Sequence, residues 1–286
     1  MAVSYSHKFG QIIGDSLEMA VEPFLSNFSS ENKLYLDRKG HRSIRQGVKL
    51  SWLDINGNTH DLDFVIERDG SDTKQGIPAA FIECAWRRYT KHSRNKAQEI
   101  QGAIIPLREK YKKFNPFIGV VLAGVFTQNS LEQLRSLGFH ILYIPYEKIC
   151  SAFETIGINA NFDEKTSEDE FKNKVDKWEA LSETEKEKLY ECISNENLES
   201  ISFFLGELKA KIDRTISSIK IWSIYGKLYE FSNLEKAKQF LIEEKNINDK
   251  ISFLRYESEI LYCNGDSIKI SFQNNTEFLS FLSQFV

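Results

Sequence analysis

Carboxylates set into apolar strands, followed at once by a burst of cations, are the residues of this chain whose types and spacing suit chemistry. From His60 to Gln101 the sequence reads HDLDFVIERDG, a polar turn, then PAAFIECAWRRYTKHSRNKAQEIQ. Alternation in HDLDFVIE places Leu62, Phe64 and Ile66 on one strand face and Asp61, Asp63, Val65 and Glu67 on the other. In the second strand Glu83 sits among Phe81, Ile82, Cys84 and Trp86. A glutamate buried there is costly unless paired, protonated or holding a metal. Two neighbouring strands that each push a carboxylate out of an apolar sheet make a hard-oxygen site suited to Mg²⁺. Arg87, Arg88, Lys91, His92, Arg94 and Lys96 follow directly, interleaved with Trp86 and Tyr89. That cluster exceeds what solubility needs and suits phosphate contact. Acid pair first and phosphate-binding charge next: the order points to phosphodiester chemistry. Plainer roles compete. Asp63 has Asp61 as a rival on the same face, Glu83 has Arg87 as a structural partner, and the cations suit a solvated face. Cys84 reads as a core packer.

The elements that must position these residues follow from periodicity. Residues 10–25 predict a helix with Ile13, Leu17, Ala20, Val21 and Phe24 on one stripe, Glu18 and Glu22 on a neighbouring one, and Pro23 near its end. Short strands are expected at 34–36 and 48–53, with a hairpin turn at 55–58 leading into the Asp63 strand. Ser93 is the expected N-cap of a helix reaching about Lys113, with Ala97, Ile100, Ile104, Leu107 and Tyr111 on its apolar face and a kink or break at Pro106. Residues 117–126 form a continuous apolar strand of the kind buried on both faces. A short helix through Leu131, Leu134 and Leu137 ends at Gly138, and a strand at 140–146 and a helix at 146–156 follow. The alternation predicts a mixed α/β sheet with parallel crossovers over residues 1–160. Residues 161–213 are acidic and helical, with capping boxes at Ser167/Glu170 and Ser182/Glu185. Residues 214–286 hold a faint repeat, 219–241 and 258–282, each reading strand, turn at Gly226 or Gly265, strand, helix. The C-terminal part is therefore expected to be a small α+β module of two ββα units.

Composition narrows the partners. The chain has 286 residues and a net charge of −4, but residues 1–159 carry 20 Lys and Arg against 17 Asp and Glu, and the remainder 17 against 24. A nucleic-acid surface belongs on the N-terminal half. Cys84, Cys150, Cys192 and Cys263 lie far apart, which argues against a zinc site or a disulfide framework. The longest apolar run, 117–126, is about half a membrane span, and the N-terminus lacks the pattern of a secretory leader. A reduced, cytoplasmic protein without a membrane partner is expected.

The ordered set of elements, a helix, strands bearing Asp63 and then Glu83, and alternating helices and strands to residue 157, resembles the PD-(D/E)xK nuclease superfamily, the restriction-endonuclease-like fold. The resemblance covers roughly residues 10–157. It implies that Asp63 and Glu83 bind Mg²⁺, with Mn²⁺ able to substitute, helped by the backbone carbonyl of Cys84. It adds Glu18 or Glu22 on the first helix, and Gln98 on the following one, as accessory residues. One departure stands out: the expected E-x-K lysine is replaced by Ala85. Three explanations are open, namely a lysine moved to Lys96 (with Lys91 second), an inactivating substitution at Ala85, or a domain that only binds. The implied activity is a Mg²⁺-dependent DNA endonuclease of restriction or phage-defence type, with Asp63, Glu83 and Lys96 catalytic and Arg87, Arg88, Lys91 and Arg94 on the DNA backbone. The alternatives are a catalytically silent nucleic-acid binder and a partner-docking subunit that uses residues 161–286. Many nucleases of this fold act as homodimers, and residues 163–213 offer a contact for one.

Overall fold

The apolar run after residue 117 becomes β6 (Phe117–Gly124), every residue of which is buried, because strands flank it and helices cover both faces. The computed structural model describes residues 4–223, 227–247 and 256–285, and the chain divides into two units, Met1–Leu208 and Lys209–Val286. The first unit is an α/β structure on a five-stranded mixed sheet. Its order is β1 (Tyr35–Arg38), β4 (Phe64–Arg68), β5 (Ile77–Arg87), β6 and β7 (His140–Pro145). The β1–β4 and β4–β5 pairs are antiparallel, whereas β5, β6 and β7 run parallel, as helical crossovers require. Helices α2 (Thr90–Lys110) and α3 (Gln128–Ser136) cover one face, where Ile100, Ile104 and Leu134 share a core with Val65, Phe81 and Val120. On the other face α1 (Tyr5–Glu31) and α4 (Tyr146–Glu154) meet through Phe9 and Phe153, edge to face at 6.0 Å.

Three expected boundaries move. The strand read through HDLDFVIE is broken at Leu62 and Asp63. Its first part, β3 (Thr59–Asp61), pairs with β2 (Ser51–Leu53) in a separate two-stranded ribbon. The second part, β4, is buried on both faces from Phe64 to Glu67, so alternation does not describe it. Helix α1 extends well beyond 10–25, with Pro23 inside it, because its buried stripe continues from Phe9 to Phe28. Helix α2 starts at Thr90 with Tyr89 as a cap that makes no side-chain bond; the Ser93 hydroxyl instead donates to the Thr90 carbonyl at 2.7 Å. Pro106 does not split α2, since Ile104 and Leu107 anchor it on both sides.

The acidic helices do not form a body of their own. Helices α5 (Glu168–Glu179) and α6 (Glu183–Asn195) pack against α1 within the first unit. Both expected capping boxes are present, so each N-cap Ser and its Glu satisfy two otherwise unpaired N–H groups. Substituting Ser167→Ala is expected to cost about 1 kcal/mol, read as a lower urea midpoint with an unchanged slope. Helix α7 (Leu198–Ile212) carries Phe204, which packs edge-on to Phe117 at 5.4 Å in the first unit.

The second unit contains β8 (Ile216–Ser223), β9 (Leu228–Phe231), α8 (Leu234–Ile247), β10 (Tyr256–Tyr262), β11 (Ser267–Phe272) and α9 (Asn275–Leu282). The two ββα units form one antiparallel sheet in the order β11-β10-β8-β9. Ile219, Ile221, Ile260 and Phe272 join Leu241 and Phe278 of the helices in its core. Gly265 takes a positive φ of 87° in the β10–β11 turn, a conformation that favours glycine. The turn expected at Gly226 lies outside the described residues.

Candidate active site in an acidic cleft

Strand register brings the carboxylates together. Phe64 pairs with Ile82 and Val65 with Phe81, so one further step sets Asp63 opposite Glu83. On the other side Arg38 pairs with Phe64, and the same step sets Lys39 beside Asp63. Directly opposed residues have Cβ atoms about 5 Å apart. Breaking the chain at Asp63 frees its carboxylate from the ladder, and Asp63 Oδ2 accepts the Cys84 N–H at 2.7 Å. Glu83 is only 8% exposed, and its Oε1 has no hydrogen-bond partner among the described residues. Helix α1 contributes Glu18 and helix α2 contributes Lys96 to the same cleft, which has a volume of about 1150 Å³.

Burial governs the electrostatics. It raises Glu83 to about 8, assisted by the negative charge of Asp63 and opposed by Lys96. It raises Asp63 as well, against the Cys84 N–H and the charges of Lys96 and Lys39. Glu18 is raised to about 7, first by burial and then by Asp63 and Asp15. Carboxylates crowded and desolvated in this way gain stability when a cation joins them. Cys84 is pushed well above its ordinary range by burial, which leaves a thiol unsuited to nucleophilic attack.

The other expected residues sort clearly. Asp61 lines the cleft rim, but its carboxylate is engaged by Lys49 and Ser51, so the rivalry with Asp63 resolves towards Asp63. Glu22 lies off the cleft and pairs with Arg38 at 2.8 Å; Glu18 is the acid that α1 delivers. Arg87 does not pair with Glu83. It lines the cleft and stands 3.9 Å from Glu99, which also lies 3.6 Å from Lys96. Arg88 lines the cleft too, but it is built into the structure: its Nε donates to the Phe162 carbonyl and its guanidinium lies 4.1 Å from the Tyr146 ring centroid. Lys91, Arg94 and Gln98 are exposed and outside the cleft lining, because they fall on the solvent side of α2. Residues 39–45 are anchored by Arg42, which is buried against Asp37 and Glu67.

Sequence reasoning missed part of the lining. His7, Gly10, Gly14 and Asp15 on α1 line the cleft together with Phe162 and Glu164, alongside Tyr89 and His92 from the basic burst read in the sequence. The recurrence of His7, Gly10, Gly14 and Glu18 at helical spacing was the available signal. Among the described residues no group of three or more His, Cys, Asp or Glu side chains is placed to hold a metal ion. Asp63 and Glu83 alone provide a two-carboxylate set, the number Mg²⁺ commonly takes from protein while keeping water and phosphate as its other ligands. No helix among the described residues is long and apolar enough to cross a membrane.

No protein-family model matches the chain, and no curated protein is significantly similar to it. Among solved structures, a protein of unknown function, AF1548, is similar over 63% of this chain and 96% of its own, at 12% identity and a TM-score of 0.28. None of these comparisons bears on the chemistry of the cleft.

Proposed function

We propose that this protein is a Mg²⁺-dependent DNA endonuclease whose first unit is a restriction-endonuclease-like domain with Asp63, Glu83 and Lys96 at its centre. The observation that carries this reading is the buried, unpartnered Oε1 of Glu83 opposite Asp63 in a cleft that also holds Lys96. A buried acceptor left without a donor is costly, and a hard cation with oxygen preference satisfies it. The donor set therefore fits Mg²⁺, or Mn²⁺ in its place, held by Asp63 and Glu83. When bound, such an ion lowers the pKa of water and offsets charge on a phosphate. The Cys84 N–H fixes the orientation of Asp63. Lys96 brings positive charge to both acids and in this reading orients the attacking water or stabilises the phosphorane oxyanion. Arg87 offers a charge-assisted contact to the DNA backbone at the cleft mouth. Restriction or phage defence and a homodimer belong to this reading through the resemblance alone, and a cytoplasmic location through the cysteine spacing and the N-terminal pattern.

A second reading, a silent nucleic-acid binder, is favoured by one feature: Ala85 fills the E-x-K lysine position and is buried in the core. Lys96→Ala and Ala85→Lys separate the two. Metal-dependent cleavage that falls about a hundredfold or more in Lys96→Ala supports Lys96 as the catalytic lysine. Cleavage confined to Ala85→Lys contradicts that role and points to an inactivating substitution at Ala85, whereas no cleavage in any variant, with salt-sensitive DNA binding intact, favours the silent binder.

A further inference from the structure

Beyond the carboxylates the cleft has two unlike walls. On α1, Gly10 and Gly14 lie one turn apart and both line the cavity. A side chain added at either would meet nothing within 4 Å, so packing demands neither glycine, although each weakens the helix relative to alanine. Tyr89 and His92, with ring centroids 6.3 Å apart, stand at the start of α2 and line the same space. Glu83 also lines it, more than nine-tenths buried and with Oε1 unpartnered. Exposed backbone and aromatic rings lining the same space leave room for flat, unstacked bases. A cavity of about 1150 Å³ is close to the size of a small-ligand site.

We propose that the cleft takes a single strand of nucleic acid, with unpaired bases seated between the glycine face of α1 and the rings of Tyr89 and His92, in preference to an intact duplex. This inference rests on the reading of the cleft as a phosphodiesterase site and names its substrate class. Aromatic stacking accepts any base, because every base has a π-face. The strand's phosphates then pass Arg87 and Lys96 on their way to Asp63 and Glu83.

Fluorescence anisotropy in EDTA, using one labelled oligodeoxynucleotide either free or annealed to its complement, tests the proposal on the full chain. Wild type is expected to bind the single strand about tenfold or more tightly than the duplex, and Tyr89→Ala to weaken that binding by between about fivefold and about a hundredfold. Gly14→Leu fills the α1 wall and should weaken single-strand binding comparably without lowering the Tm, since leucine is the better helix former. Equal or tighter binding of duplex by wild type overturns the proposal. So does unchanged single-strand binding in Gly14→Leu. If wild type binds duplex at least as tightly as single strand and cuts it with metal, only the single-strand proposal falls. If wild type neither binds nor cuts either form, the phosphodiesterase reading falls and takes the proposal with it.

Discussion

Glu83→Gln is expected to make the metal-free protein more stable at pH 8 while abolishing cleavage. Burial and the neighbouring Asp63 raise the folded-state pKa of Glu83 to about 8 from an ordinary 4.5. Between those values the unfolded chain releases a proton that the folded chain retains. The folded state thus binds more protons, and stability falls as pH rises through that window, with the full loss reached above about pH 8. Glu18, raised to about 7, acts in the same sense. A glutamine at position 83 keeps the shape and cannot ionise, so the variant should gain on the order of a few kcal/mol over wild type at pH 8. The gain should vanish near pH 4, where both states of wild type are protonated. Thermal unfolding in EDTA across that range checks the sign. Added Mg²⁺ should then raise the Tm of wild type and leave the variant largely unmoved, because binding to the folded state alone stabilises it. A variant less stable than wild type at pH 8 would show that ionised Glu83 supports the fold and does not strain it.

Arg42→Leu should destabilise the first unit by about 3–5 kcal/mol, since it leaves the buried carboxylate of Glu67 without a cation and takes one of two from Asp37. Arg42 is 2% exposed and donates to Asp37, to both oxygens of Glu67 at 2.7 and 2.9 Å, and to the carbonyls of Ser71 and Lys74. Glu67 is fully buried and also accepts from the Gly76 N–H at 2.6 Å, while Asp37 keeps Arg45 at 2.8 Å. Glu67 therefore loses its cation outright. For a unit of this size the expected fall in Tm is about 10 °C. Combining Arg42→Leu with Glu67→Leu should recover much of the loss, because an apolar replacement removes the unpaired charge. A loss below about 1 kcal/mol in the single variant would contradict the assignment.

The contrast between these two sites explains what the sequence made legible. Glu83 announced itself through its immediate neighbours, Phe81, Ile82, Cys84 and Trp86, and the capping boxes at Ser167 and Ser182 through residues three apart. Both are local signals. The ββα repeat was legible for the same reason, since each unit carries its own alternation and turn. The Arg42 network joins residues separated by up to 32 positions, and no short pattern distinguishes such a buried arginine from an exposed one. Asp63 was found for a partly mistaken reason: the alternation assigned it to a continuous strand, whereas it occupies the break before β4 and reaches Glu83 through the register of the pair. The basic burst split once α2 formed, because helical spacing turned Lys96 towards the cleft and left Lys91 and Arg94 in solvent. Gly10 and Gly14 were silent as residues and became informative only as a cavity wall.

Metal-dependent DNA cleavage by wild type and Asp63→Ala is the most direct test of the central claim. Supercoiled plasmid and circular single-stranded DNA would each be incubated with Mg²⁺, Mn²⁺ or EDTA, with strand breaks read on a gel. Wild type should cut with either metal and not in EDTA, and Asp63→Ala should cut under none of the three conditions while remaining folded. Absence of metal-dependent cutting by wild type, or undiminished cutting by Asp63→Ala, would contradict the assignment of the cleft as a nuclease site.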